Sequence, residues 1–142
     1  MPEELLQWAG EERERQAAFK HNIRVCMAAG CLSTGSDGVK AALQAEVEAR
    51  GLNGACQVKG VGCLGLCSMG PLIKVDDHYC RHVSPEDASE IMDRLGERPV
   101  ERLHIPSEMP FFTRQHKIVL ENSGLIDPER LDDYIADRKS VV

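Results

Sequence analysis

Apolar and polar positions along the chain change period several times, and each change marks an element. Residues 3–20 are mostly charged, with Leu5, Trp8 and Ala9 as a short apolar face, which predicts a helix that packs on some other element. Residues 22–25 predict a short strand leading straight into Cys26. From Ser36, a capping residue, to Arg50, the positions Val39, Ala42, Leu43 and Val47 recur at helical spacing, and Gly51 supplies the stop. Cys56 and Val58 alternate with Gln57 and Lys59, as in a half-buried strand with the first two inward and the others outward. Residues 72–75 and 79–83 predict a hairpin across Asp76, Asp77 and His78. Ser84, Pro85, Glu86 and Asp87 combine an N-cap, a proline at the first helical position and early acids. The helix they open carries Ala88, Ile91, Met92 and Leu95 on one face and ends at Gly96. Residues 97–110 contain Pro99, Pro106 and Pro110 and read as a linker. Asp127, Pro128 and Glu129 start a last short helix with Leu131, Tyr134 and Ile135 inward. The order β–α–β–β–β–α is compatible with a sheet covered by helices, an α/β fold, and no internal repeat is visible.

Composition narrows the function classes. The 142 residues can bury an ordinary core, and 42% hydrophobic content is normal for a globular chain. A net charge of −6 without basic runs argues against nucleic acid. No apolar stretch is long enough to span a membrane. The opening Met1-Pro-Glu-Glu lacks the apolar core of a secretory signal, so the expected location is the cytoplasm. Six cysteines in such a chain read as metal or redox chemistry rather than a disulfide frame.

Four of the six form two clipped pairs. Cys26 and Cys31 enclose four residues, and Cys63 and Cys67 enclose three. Iron–sulfur clusters are held by thiolates, and a [2Fe–2S] centre needs four. Zinc usually takes tighter C-x2-C pairs, so this spacing suits a two-iron cluster better, with a structural zinc module as the competing reading. Gly30, Gly62, Gly65 and Gly70 lie in or beside the ligand loops, where small residues let backbone N–H groups approach sulfur, although turn geometry alone would also use them. Cys56 and Cys80 sit outside those loops and read as small buried hydrophobes, with a transient disulfide between them as a lesser alternative. Gly60-Val-Gly62-Cys-Leu-Gly65 matches the dinucleotide pattern G-x-G-x-x-G. Too little chain follows to make the helix that pattern must open, and Cys67 lies within it. The chain therefore shows no FMN or NAD site of its own. His21, His78, His82, His104 and His116 are scattered and read as surface or turn residues. Asp76–Asp77 reads as a turn and Asp132–Asp133 as a solvated helix face. No catalytic constellation is visible.

The words around the ligands, Cys26-Met-Ala-Ala-Gly-Cys31-Leu-Ser-Thr-Gly-Ser36 and Val61-Gly-Cys63-Leu-Gly-Leu-Cys67-Ser-Met-Gly-Pro71, resemble the thioredoxin-like [2Fe–2S] ferredoxins over residues 22–96. A second resemblance follows: FFTRQHKIVLENSGLIDPERLDDYIA, residues 111–136, is similar to the start of the NADH- and FMN-binding flavoprotein subunit of respiratory complex I and its relatives. Chains with both pieces in this order resemble the diaphorase flavoprotein subunits of NAD-linked bidirectional hydrogenases; related subunits occur in NAD-dependent formate dehydrogenases. The resemblance implies a thioredoxin-like [2Fe–2S] fold with an N-terminal helix (1–21), the cluster domain (22–97), and a linker with the start of a flavoprotein domain (98–142). It implies a [2Fe–2S] cluster on Cys26, Cys31, Cys63 and Cys67, with FMN and NAD(H) only in a missing remainder. Those flavoprotein subunits usually continue after Tyr-Ile-Ala with a glycine pair, whereas residues 137–142 depart from that pattern, so a truncated piece is expected.

The expected function is one-electron transfer as an accessory module of an NAD(P)H-oxidising or NAD(P)-reducing flavoprotein subunit. Partners would be the flavoprotein domain and other iron–sulfur subunits, with a homodimer as a further option. A stand-alone ferredoxin and a formate dehydrogenase module stay open, with structural zinc behind them.

Overall fold

The computed structural model describes residues 2–106 and 108–137. Of residues 137–142, where the departure from the family pattern is expected, 138–142 lie outside them. Helix α1 (Glu3–Ala17) leads to strand β1 (His21–Cys26), a short helix α2 (Ala29–Ser33) and α3 (Ser36–Ala49). Strand β2 (Cys56–Val61), the hairpin β3 (Ile73–Val75) and β4 (His78–Cys80), helix α4 (Ala88–Asp93), strand β5 (His104–Ile105), α5 (Pro110–Thr113) and α6 (Leu131–Asp137) complete the order. The sheet runs β2-β1-β3-β4-β5, with β1 and β2 parallel and the other pairs antiparallel.

Alternation along β1 puts Ile23 and Val25 into the main core, both wholly buried. They meet Val39, Leu43 and Val47 of α3 and Ile91 and Met92 of α4, the faces that the helical spacing predicts. Val100 and Leu103 join the same core. The stretch read as a linker from its prolines therefore contributes core residues and an edge strand. A two-residue strand is too short to show a period, which is why β5 was not expected.

Cys56 and Cys80 are buried, and burial pushes each thiol up to about 11. Three strand spacings separate β2 from β4, on the order of 14 Å, against the 7 Å limit between α-carbons for a disulfide. The transient disulfide is thereby excluded in this fold.

The capping signal at Ser84 is realised as a 3₁₀ turn, Pro85–Asp87, that feeds α4. The Ser84 amide and hydroxyl both donate to Asp87 Oδ2, at 2.9 and 3.0 Å, and Arg102 donates to Oδ1 at 2.6 Å. Burial alone would raise the Asp87 pKa, but the Ser84 amide, Arg102 and the Ser84 hydroxyl together hold it below the usual carboxylate range. A depressed folded-state pKa contributes stability that is present above the unfolded value and lost as pH falls through the folded value. Asp87→Ala is expected to cost about 1–2 kcal/mol at neutral pH. Thermal melts of the pair across pH check this: the gap should close below about pH 4, and a gap constant down to pH 2 would contradict it.

Two expectations for charged residues are corrected. Lys59, expected outward, is only 9% exposed, and Asp133, expected on a solvated face, is 1% exposed. They form an ion pair at 2.6 Å. Leu131 and Tyr134, expected inward, are exposed, while Ile135 and Ala136 are buried. The two-turn α6 is oriented by the Lys59 ion pair to β2 and by hydrogen bonds to α1, and these outweigh its apolar spacing. Helix α6 is the element on which α1 packs: Trp8 Nε1 donates to Asp132 at 2.9 Å, and Arg13 Nε to the Ala136 carbonyl at 2.7 Å. Buried Glu12 accepts from Arg15, from Gln16 at 2.9 Å and from Arg130 at 3.3 Å. Among the described residues no helix is long and apolar enough to cross a membrane.

Candidate metal centre

Adjacent parallel strands run out at the same end of a sheet, and that rule builds this site. Cys26 closes β1 opposite Val61 of β2, so the loops that follow the two strands emerge side by side. Helix α2 starts three residues past Cys26 and carries Cys31. Cys63 lies two residues beyond β2, and Cys67 opens a 3₁₀ turn, Cys67–Met69. Backbone bonds stitch the loops together: Met27 N–H donates to the Val61 carbonyl at 2.9 Å, Cys26 to Leu72 at 3.0 Å and His82 to Met69 at 2.9 Å.

The four thiols form one connected group. Cys63 Sγ and Cys67 Sγ are 3.8 Å apart. Burial raises the Cys31 thiol to about 11 against a backbone hydrogen bond at Leu72, with Cys26, hydrogen-bonded to it, and the charge of Cys67 adding to the rise. Cys67 is pushed up by its hydrogen bond and charge interaction with Cys63, then by burial and Cys26. Cys31 and Cys67 are thus held toward the neutral thiol. Cations among the thiols offset this and favour deprotonation, so the donor set fits a highly charged inorganic centre. Among the described residues no three His, Cys, Asp or Glu groups gather closely enough for one metal ion. Cys63 and Cys67 form one close sulfur pair, and a binuclear centre would take two thiolates at each iron.

Burial is graded across the group. Cys26 and Cys31 are 1% exposed, within a second apolar cluster that includes Val61, Leu64, Leu66, Leu72 and Ile105. Cys63 is half-buried and Cys67 exposed. The glycines divide by role. Gly65, at φ +101°, donates its amide to Cys63 Sγ at 3.3 Å. A Cβ on Gly70 would lie 3.1 Å from both Cys31 Sγ and Thr34 Oγ1, so glycine there permits the close approach. Gly30 lies against Cys67, and Gly62 faces Ser123. Gly60 falls inside β2, and the three-residue turn at Cys67 is the next helical piece, so the G-x-G-x-x-G match has no helix to open. His21 bonds Asp76 at 2.8 Å, while His78 and His104 meet edge-on. His116 lines a cleft of about 300 Å³ that opens at Cys63.

Residues 12–96 match the family model of the thioredoxin-like [2Fe–2S] ferredoxins. The chain belongs to that family. The cofactor and the one-electron chemistry expected from the sequence are those of this ferredoxin family. A thioredoxin-like [2Fe–2S] ferredoxin from Aquifex aeolicus superposes with a TM-score of 0.55 at 30% identity, covering 63% of this chain and 99% of that one. One of the subunits of NADH-quinone oxidoreductase from Salmonella typhimurium is 31% identical over 84 residues, or 56% of this chain and 51% of the relative. Its namesake from Escherichia coli is 30% identical over an equal length. The ferredoxin-like chain thus spans about half the length of the curated relatives it matches, each named as one component of a larger oxidoreductase.

Proposed function

We propose that Cys26, Cys31, Cys63 and Cys67 hold a [2Fe–2S] cluster and that the chain carries single electrons inside an NADH-oxidising assembly. The observation that supports this reading is that the loops bearing the four cysteines follow β1 and β2 at one end of the sheet, with Cys26 and Cys31 in apolar surroundings and Cys63 and Cys67 nearer the surface. The cluster supplies a store for one electron and makes or breaks no substrate bond. Cys26 and Cys31 hold their end away from water, the Gly65 amide supports negative charge on Cys63, and Cys67 offers a short path to a docked partner. With the cluster bound, one electron would enter from a reduced flavin or another cluster and one would leave to the next acceptor.

The proposed neighbours are a flavoprotein domain that holds FMN and NAD(H), and further iron–sulfur subunits, in the cytoplasm. Names of the relatives support an NADH-linked complex. The 111–136 segment supports a flavoprotein-subunit parent of the hydrogenase-diaphorase type, with formate dehydrogenase as the close variant. Hydride chemistry belongs to a flavin, so NADH alone is expected to leave the loaded chain oxidised until a flavoprotein diaphorase is added. An anaerobic NADH titration followed by absorbance tests this. Reduction by NADH with no flavin present would mean that a nucleotide site lies within these residues.

A further inference from the structure

The segment from Met109 to Asp137 does not trail away from the ferredoxin domain. It begins on the apolar cluster of the ligand loops, where Phe112 stacks on Tyr79 with ring centres 4.4 Å apart. It then crosses the Cys63 loop and ends as α6 against α1. At the crossing the Ser123 hydroxyl donates to the Cys63 carbonyl at 2.6 Å. A Cβ on Gly124, where φ is +85°, would lie 2.6 Å from Leu64 Cδ2, and one on Gly62 would lie 3.3 Å from Ser123 Oγ, so the strap and the Cys63 loop pack with little room for a side chain at either glycine. The far end is latched by Asp133, which accepts from Lys59 at 2.6 Å, from the Asp127 amide at 2.9 Å and from Gln16 at 3.1 Å. Lys59 is four residues before Cys63 in the same strand-and-loop unit.

We propose that residues 109–137 form a strap that sets the reduction potential at the Cys63 end of the centre, with Ser123 as its positioning residue. The Cys63 carbonyl oxygen is turned toward the strap, and its negative end beside a ligand thiolate disfavours an added electron. A hydroxyl donated to that oxygen offsets the effect. Holding the Cys63 peptide also keeps the Gly65 amide aimed at Cys63 Sγ. Both act toward the reduced form, because donors around the sulfurs raise the potential. The inference rests on the four-cysteine reading.

The test is a redox titration of the full chain and of Ser123→Ala and Ser123→Thr, with iron, sulfide and hydrogen exchange at residues 63–66 measured alongside. Ser123→Ala is expected to keep its cluster, to lower the reduced-to-oxidised ratio at a fixed potential about fivefold, and to exchange faster at residues 63–66. Ser123→Thr, which retains the hydroxyl, should restore the wild-type ratio. If Ser123→Ala loses its cluster while Ser123→Thr keeps it, the hydroxyl is still what holds the loop. An unchanged ratio in a loaded Ser123→Ala overturns the inference, as do equal shifts, or loss of the cluster, in both variants. A wild-type chain that holds no iron or sulfide would instead defeat the ligand reading itself.

Discussion

Cys63→Ala is expected to lose nearly all bound iron and sulfide, and with them the visible absorption of the protein. One iron would be left with a single thiolate, and no other cysteine can replace it: Cys67 is committed, and Cys56 and Cys80 lie in the other core cluster. Cys26→Ala, Cys31→Ala and Cys67→Ala should behave alike. Cys56→Ala and Cys80→Ala should stay loaded and lose only about 1 kcal/mol of stability, as small core truncations do. Iron and sulfide assays on the six purified variants separate the groups. A fully loaded Cys63→Ala, or an empty Cys56→Ala, would overturn the assignment.

The largest stability effect is expected at Asp133. Its side chain is wholly buried, and it receives Lys59 at 2.6 Å and Arg130 at 3.4 Å. Asp133→Ala leaves the Lys59 ammonium almost enclosed without its partner, which should cost about 3–5 kcal/mol. Replacing both ends by apolar residues, as in Lys59→Met with Asp133→Leu, should recover most of that loss, because the desolvation of the pair disappears with the charges. Denaturant unfolding of the single and double variants measures both. A cost below about 1 kcal/mol for Asp133→Ala would place the pair in the screened class of surface bridges.

These two sites differ in how far the sequence announced them. The candidate ligands stood out because metal-binding patterns are written locally: a few residues between two cysteines limit how far apart their sulfurs can lie, and the small residues between them suit close approach. The faces of α3 and α4 and the cap at Ser84 were legible for the same reason, each being a short-range pattern. The surroundings of Asp133 were not. Its partners Gln16 and Lys59 are 117 and 74 positions away along the chain, and no period links them. Apolar spacing placed Leu131 and Tyr134 inward, yet the buried charge turned α6 the other way. Ser123 and Cys63 are 60 positions apart, and nothing in the turn-like Asn122-Ser123-Gly124 points to a cysteine loop. Helix α2, five residues that include Cys31, was too short for a periodic signal.

The central claim is that four cysteines hold a two-iron cluster which takes up one electron. Protein purified without oxygen tests it most directly, by iron, sulfide and zinc assay followed by EPR before and after dithionite. The account predicts about two iron and two sulfide per chain, no EPR signal as isolated, and a spin-one-half signal that integrates to about one electron per chain after reduction. A colourless protein with stoichiometric zinc, no sulfide and no signal after dithionite would contradict it.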